Sequence, residues 1–230
     1  MEQSKNIPQC IGIIMDGNRR WARERNLPTF EGHARGFQKA KEVAGWCKIA
    51  GVTYAILYAF SNENWNRSKE EVAYLTELFD KFIHEYAEQL HAEGGAVRFI
   101  GEVGRFGEKF ESEARALEAQ NPDKPSCTVI IALSYGGRQE IVRAANKLLK
   151  EKSGEEITEA DFAAQLYTHE IPDPDLIVRT SGEYRLSGFL PWQSTYSELF
   201  FVPTYWPDFS EQEFKNVLNE YASRERRGGK

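Results

Sequence analysis

The sequence is short of the features that mark several protein classes. Its 230 residues hold three cysteines, Cys10, Cys47 and Cys127, and no CxxC pair. An odd, widely spaced set excludes a disulfide framework and a zinc ribbon, and its default setting is a reducing, cytoplasmic compartment. There is no run of ~20 apolar residues, so no bilayer-spanning helix is expected. The opening residues, MEQSKNIPQC, have no positive region followed by an apolar core, so no secretory signal is expected. A basic excess is also missing: 29 Lys+Arg against 35 Asp+Glu leave a net charge of −6. Proteins that neutralise nucleic-acid phosphates usually carry the opposite balance, so nucleic acid is not an expected partner. Net charge does not exclude a local cluster that binds a small anion. Three signatures are absent as well: GxxxxGK[ST], GxSxG, and GxGxxG in the Asp16 loop.

What remains is the composition of a soluble globular enzyme, 41% hydrophobic and 28% charged. Six short apolar runs read as strands: Ile11–Met15, Thr53–Ala59, Val97–Ile100, Thr128–Ala132, Leu176–Val178 and Leu199–Val202. Most are continuous rather than alternating, as in a parallel sheet covered on both faces. Helical patterns fall between them, over 34–50, 68–93, 107–120, 138–151, 158–167 and 210–226. The second of these opens at Ser68 with Glu71 three residues on, the pattern of a capping box. Its apolar stripe is Val72, Leu75, Phe79, Phe82, Tyr86 and Leu90. His84 and His91 share that helix and read as packing or surface residues, because no third metal ligand at a suitable spacing accompanies them. The alternation predicts one α/β domain over residues 1–230, with a mostly parallel sheet of about six strands flanked by helices.

Open parallel sheets bind ligands beyond the carboxyl ends of their strands. The segments after these strands are Asp16-Gly17-Asn18-Arg19-Arg20-Trp21, Ser61-Asn62-Glu63-Asn64-Trp65-Asn66-Arg67, Ser134-Tyr135-Gly136-Gly137-Arg138 and Arg179 through Ser187. They are rich in Arg, Asn, Ser and Gly, a set suited to phosphate oxygens. Asp16 fits two readings: a carboxylate for a divalent cation beside an anion, or a helix N-cap. Arg20, Arg67, Arg179 and Arg185 all follow strand ends, and four such guanidiniums in one cleft call for an anion. Ser61 and Asn64 suit a proton relay, and Trp65 an apolar substrate tail; the same stretch also suits an Asn-rich turn. His33 suits either a phosphate contact or a structural bond.

The motifs MDGNRRWA (Met15–Ala22), EGH (Glu31–His33), LYAFSNENWNR (Leu57–Arg67), YGGR (Tyr135–Arg138), DLIVRTSGEYRLS (Asp175–Ser187), FLPWQSTYSELFF (Phe189–Phe201) and WPDF (Trp206–Phe209) resemble the cis-prenyltransferases, whose bacterial members are undecaprenyl diphosphate synthases or isoprenyl transferases. The resemblance covers about residues 11 to 229. It implies a homodimeric, Mg2+-dependent enzyme. Such an enzyme joins isopentenyl diphosphate to an allylic diphosphate, usually farnesyl diphosphate, and grows the product in a hydrophobic tunnel walled by the stripe on 72–90. It implies that Asp16 and Glu198 hold the metal and that Asn64 handles the proton lost on condensation. Gly17, Asn18, Arg19 and Arg20 would cradle the allylic diphosphate, with Trp21 and His33 beside it. Ser61, Asn62, Glu63, Trp65 and Arg67 would line the site. Arg179, Arg185 and Ser187 would hold isopentenyl diphosphate, with Leu186 between them. Arg227 and Gly229 would reach the partner's active site, and product release would involve peripheral contact with a membrane. Three positions depart from the family pattern. Thr29 replaces an arginine, for which Arg25 or Arg35 would substitute; Tyr184 replaces a common His; and the fourth strand lacks an Asn. A non-catalytic partner subunit and another diphosphate-handling enzyme are the alternative readings.

Overall fold

The computed structural model describes residues 6–152 and 154–224. Six strands form one wholly parallel sheet in the order β3-β4-β2-β1-β5-β6. They are β1 (Cys10–Ile14), β2 (Tyr54–Tyr58), β3 (Ala96–Ile100), β4 (Thr128–Ala132), β5 (Leu176–Arg179) and β6 (Glu198–Phe201). Every residue of β1, β4 and β5 is buried, which is why their sequences are apolar without alternation. The helices are α1 (Asn18–Glu24), α2 (Thr29–Ala50), α3 (Lys69–Lys81), α4 (Ala87–Ala92), α5 (Glu108–Glu118), α6 (Gly137–Glu151), α7 (Glu159–Ala163) and α8 (Glu211–Ser223). A π-helical turn, Phe82–Tyr86, joins α3 to α4. Among the described residues no helix is long and apolar enough to cross a membrane.

The strand expectations hold to within a residue or so at each end. Two helical expectations change. The helix expected over 34–50 starts five residues earlier, at Thr29 behind Pro28. Gly32 and Gly36 are weak helix formers and hide that start. They also explain α1, which the sequence pattern does not announce. A Cβ on Gly32 would lie 2.1 Å from the Asn18 carbonyl oxygen, and one on Gly36 would lie 2.3 Å from Asn18 Oδ1. The two glycines let α1 rest directly on α2 and hold Asn18 just beyond the carboxyl end of β1. The helix expected over 158–167 is regular only across Glu159–Ala163, behind a Thr158–Asp161 capping box.

The chain moves to one side of β1 for β2 and to the other for β5. The point where the order reverses is where the loops after two adjacent strands diverge and open a crevice. Here that crevice lies between the ends of β1 and β5.

Candidate active site

Asp16 follows β1 and Arg179 ends β5, so the crevice is bridged by their ion pair. Arg179 Nη2 donates to Asp16 Oδ2 at 2.8 Å, and Arg20 Nη2 approaches the same oxygen at 3.1 Å. Asp16 is not a helix cap; Gly17 holds that position with φ +112°. A Cβ on Gly17 would meet Tyr205 at 2.9 Å, so the left-handed turn and the close contact both require glycine. Burial by itself would raise the Asp16 pKa. Arg179 and Arg20 outweigh it and hold the carboxyl below its ordinary value.

Arg179 is almost wholly buried and organises the loop after β5. Its Nη1 donates to Ser187 Oγ at 2.9 Å and to the Arg185 carbonyl. Ser181 and Ser187 both adopt positive φ in that loop, backbone strain of the kind that gathers at functional sites. Glu183 ties the remaining arginines together, accepting from Arg20 Nη1 at 2.9 Å and from Arg185 Nη1.

A second cluster faces Asp16 from the other side, and its centre was not foreseen. Glu71 Oε1 bonds His33 Nε2 at 3.0 Å and Arg67 Nη1 at 2.9 Å, with Arg19 Nε at 3.9 Å. The capping-box spacing pointed to Glu71 as a helix-start residue. Its backbone N–H does donate to Ser68 Oγ, but its carboxylate serves His33 and Arg67. Burial, with Arg67 and Arg19 adding to it, lowers the His33 pKa despite the opposing pull of Glu71. His33 is therefore neutral near pH 7, a hydrogen-bonding group rather than a cation.

These groups surround two adjoining spaces. One is a polar cleft lined by Asp16, Gly17, Asn18, Arg19, Arg20, Arg23, Thr29, His33 and Arg67. The other is a cavity of about 350 Å³ that shares Asp16, Asn18, His33 and Arg67 with the cleft. It runs between α2 and the α3–π segment, over the sheet. Its mouth also carries Ser61, Asn64, Arg179, Arg185 and Ser187, and its body is apolar, with Phe37, Leu57, Leu78, Phe79, Phe82, Tyr86, Phe99 and Ile131. Four members of the expected stripe, Leu75, Phe79, Phe82 and Tyr86, line it. Asn18 Oδ1 is sealed at this junction without a hydrogen-bond partner, and so is Arg179 Nε.

Several sequence-predicted site residues lie elsewhere. Glu198 sits at the start of β6 opposite Leu176, whereas Asp16 lies beyond the far end of the sheet, where Ile14 pairs with Arg179. Parallel strands put those positions at opposite ends, and Glu198 pairs with Arg224. Within one chain it does not join Asp16. Asn62 Oδ1 accepts from Ser134 Oγ at 2.8 Å and Arg105 Nη1 at 3.1 Å, and Trp65 Nε1 donates to Ser134 Oγ at 2.9 Å. The Trp65 ring packs on Phe60 and Phe106 beneath Arg105. Both residues pin the loop rather than line the cavity. Trp21 donates to Asp208 and stacks under Arg25 outside the cleft, and Leu186 packs into the core on the sheet's other face. Glu63 lines a neighbouring cleft with Ser61 and Ser187. Asn64 reaches the cavity and also accepts from the Ser61 N–H at 3.1 Å, so the relay and turn readings meet in one residue. Arg227 and Gly229 lie outside the described residues. Trp65→Phe is accordingly expected to leave both substrate KM values within about twofold and to lower Tm by roughly 2–4 °C, from one lost hydrogen bond of about 1 kcal/mol. A tenfold KM rise would place the indole on the substrate instead.

A protein-family model described as "Putative undecaprenyl diphosphate synthase" matches residues 14–229. The chain belongs to this isoprenyl transferase family. It is 45% identical to the isoprenyl transferase of Thermotoga maritima over 97% of each chain. It is 40% identical to the Micrococcus luteus ditrans,polycis-undecaprenyl-diphosphate synthase named as (2E,6E)-farnesyl-diphosphate specific, over 97% of this chain and 92% of that one. Lavandulyl diphosphate synthase from Lavandula x intermedia, solved with dimethylallyl diphosphate, superposes with a TM-score of 0.92 at 32% identity, over 97% and 99% of the two chains. As a family member the chain is a prenyltransferase, and the six-stranded parallel sheet is that of its structural relatives.

Proposed function

We propose that the protein condenses isopentenyl diphosphate with an allylic diphosphate, farnesyl diphosphate being the primer, to give a cis-polyprenyl diphosphate of the undecaprenyl class. One observation carries the reading: an arginine-rich cleft opens, at Asp16, into an apolar cavity. A diphosphate with a prenyl tail has that same division of charge and grease.

The cleft suits the allylic diphosphate. Arg19, Arg20 and Arg67 supply charged donors, and the first-turn amides of α1 have no intrahelical partner. Arg23, which the motifs did not single out, lines the cleft near Thr29. It is a better replacement for the family's missing arginine there than Arg25, which is engaged with Asp208. The loop of Arg179, Arg185 and Ser187 suits the second diphosphate across the cavity mouth. The prenyl chain would lie between Phe37 and Phe79 and grow toward Phe82, Tyr86 and Phe99.

The donor set also fits Mg2+. Magnesium is commonly held by one or two carboxylates plus substrate phosphates. Asp16 supplies one, and both arginine contacts fall on its Oδ2, so Oδ1 is the oxygen for a cation. Bound there, the ion would neutralise charge building on the departing diphosphate. The chain's own residues do the rest. Arg20 and Arg179 keep Asp16 ionised and aimed. His33, neutral, gives its one N–H to Glu71 and so fixes the carboxylate that positions Arg67. Apolar walls exclude water that would otherwise capture the ionised allyl group. Asn64 is an amide and a poor base, so its part is to orient the group that takes the C2 proton of isopentenyl diphosphate. Homodimer formation, a cytoplasmic setting and membrane contact at product release belong to the same reading.

The test is direct. Purified protein given farnesyl diphosphate, labelled isopentenyl diphosphate and Mg2+ should yield long cis-polyprenyl diphosphate, and EDTA should abolish it. No product from any allylic primer would defeat the reading and favour a non-catalytic subunit.

A further inference from the structure

His84 reads from the sequence as a surface residue without co-ligands; the fold supplies two. Asp80 lies one turn before it, and Glu113 comes from α5. His84 Nε2 is 3.6 Å from Asp80 Oδ1 and 3.5 Å from Glu113 Oε2. One donor atom from each residue lies within 4.8 Å of the others. A tetrahedral zinc ion with bonds of about 2.0–2.2 Å holds its donors roughly 3.3–3.6 Å apart, and both separations from His84 Nε2 fall in that range.

Glu113 adds an independent observation. Its Oε2 is sealed from solvent and has no hydrogen-bond partner, while Lys109 Nζ lies 3.7 Å from Oε1. A sealed carboxylate oxygen faced by an imidazole nitrogen at 3.5 Å without a hydrogen bond is under-satisfied, and a cation between the two would satisfy it. The ligand types also discriminate. One imidazole with two carboxylates suits zinc, whereas magnesium prefers an all-oxygen octahedron.

We propose that Asp80, His84 and Glu113 form a zinc site on the outer side of the cavity wall, with the fourth position open to water. None of the three lines the cavity or the Asp16 cleft. Their backbone does carry the wall. His84 lies in the π-helical turn whose Phe82 and Tyr86 face the cavity, and π turns inside α-helices often mark functional positions. Zinc at this point ties that turn to α5 and limits how far the wall moves.

The experiment is calorimetric titration of chelator-treated, untagged protein with Zn2+, alongside Tm. The wild type should bind one zinc per chain. H84A and E113Q should each weaken binding at least tenfold, and D16N should retain it. At zinc a hundredfold above Kd, Tm should rise by roughly 5–11 °C in the wild type and stay flat in H84A. His84 is half exposed, so H84A is expected to fold; circular dichroism checks this, and E113Q provides a second variant. A wild type without stoichiometric binding, or an unchanged Kd in both variants, would overturn the site.

Discussion

Replacing Asp16 by Ala is expected to lower kcat on the order of 10³-fold, about 4 kcal/mol of transition-state stabilisation. KM for the allylic diphosphate should stay level or fall. The sign follows from the charges. Asp16 neutralises Arg20 and Arg179, and its removal leaves the cleft more positive toward a bound diphosphate. On the proposed reading, what is lost is the carboxylate that would hold a cation assisting departure of the leaving group, an interaction that would strengthen as charge develops. D16N keeps the shape and an acceptor oxygen, so a similar loss in both variants would assign the effect to charge. Arg179 remains buried in these variants without its counter-ion, so Tm should also fall, by several degrees. Steady-state kinetics at a temperature well below that Tm separates the two effects. A variant within tenfold of wild-type kcat would remove Asp16 from the chemistry.

Arg179→Lys is expected to raise KM for isopentenyl diphosphate and lower kcat/KM on the order of 10²-fold, about 2.7 kcal/mol. The charge is preserved, so the loss is one of geometry. The guanidinium reaches Asp16 Oδ2 with one nitrogen and Ser187 Oγ and the Arg185 carbonyl with the other. A single ammonium lacks the planar fork that holds these acceptors in place. The strained serine loop then loses the bond that over-determines it. Arg185 is more than half exposed on its side chain, and its polar contact is to Glu183, so Arg185→Lys should cost less than tenfold. Equal losses in the two variants would contradict the positioning role of Arg179.

Much of this was legible because parallel sheets impose simple rules. Continuous apolar runs located the six strands, and the rule for strand ends directed attention to Asp16, Arg20, Arg67 and Arg179. Three things were not legible, each for a physical reason. Glu71 was hidden because its spacing from Ser68 fits a capping box, and His33 comes from another helix. Glu198 stands at the amino end of β6, away from Asp16 within one chain, and only an order of motifs along the chain had set the two side by side. Trp65 and Asn62 carry polar groups in a motif-rich loop, and only the fold shows that Ser134 Oγ accepts from the one and donates to the other. The same holds for YGGR and PWQS. Their Tyr135 and Gln193 donate to the buried Glu140 at 2.6 and 3.2 Å, which supports the loop and touches no substrate space.

The central claim is that one ligand spans both spaces, with its diphosphate in the arginine cleft and its prenyl tail in the apolar cavity. A crystal structure with an unreactive farnesyl thiolodiphosphate tests it most directly. The account predicts phosphate oxygens within hydrogen-bonding distance of the Gly17–Arg20 segment and the prenyl chain between α2 and α3, against Phe37 and Phe79. A diphosphate bound away from Asp16, or a tail lying outside that cavity, would contradict it.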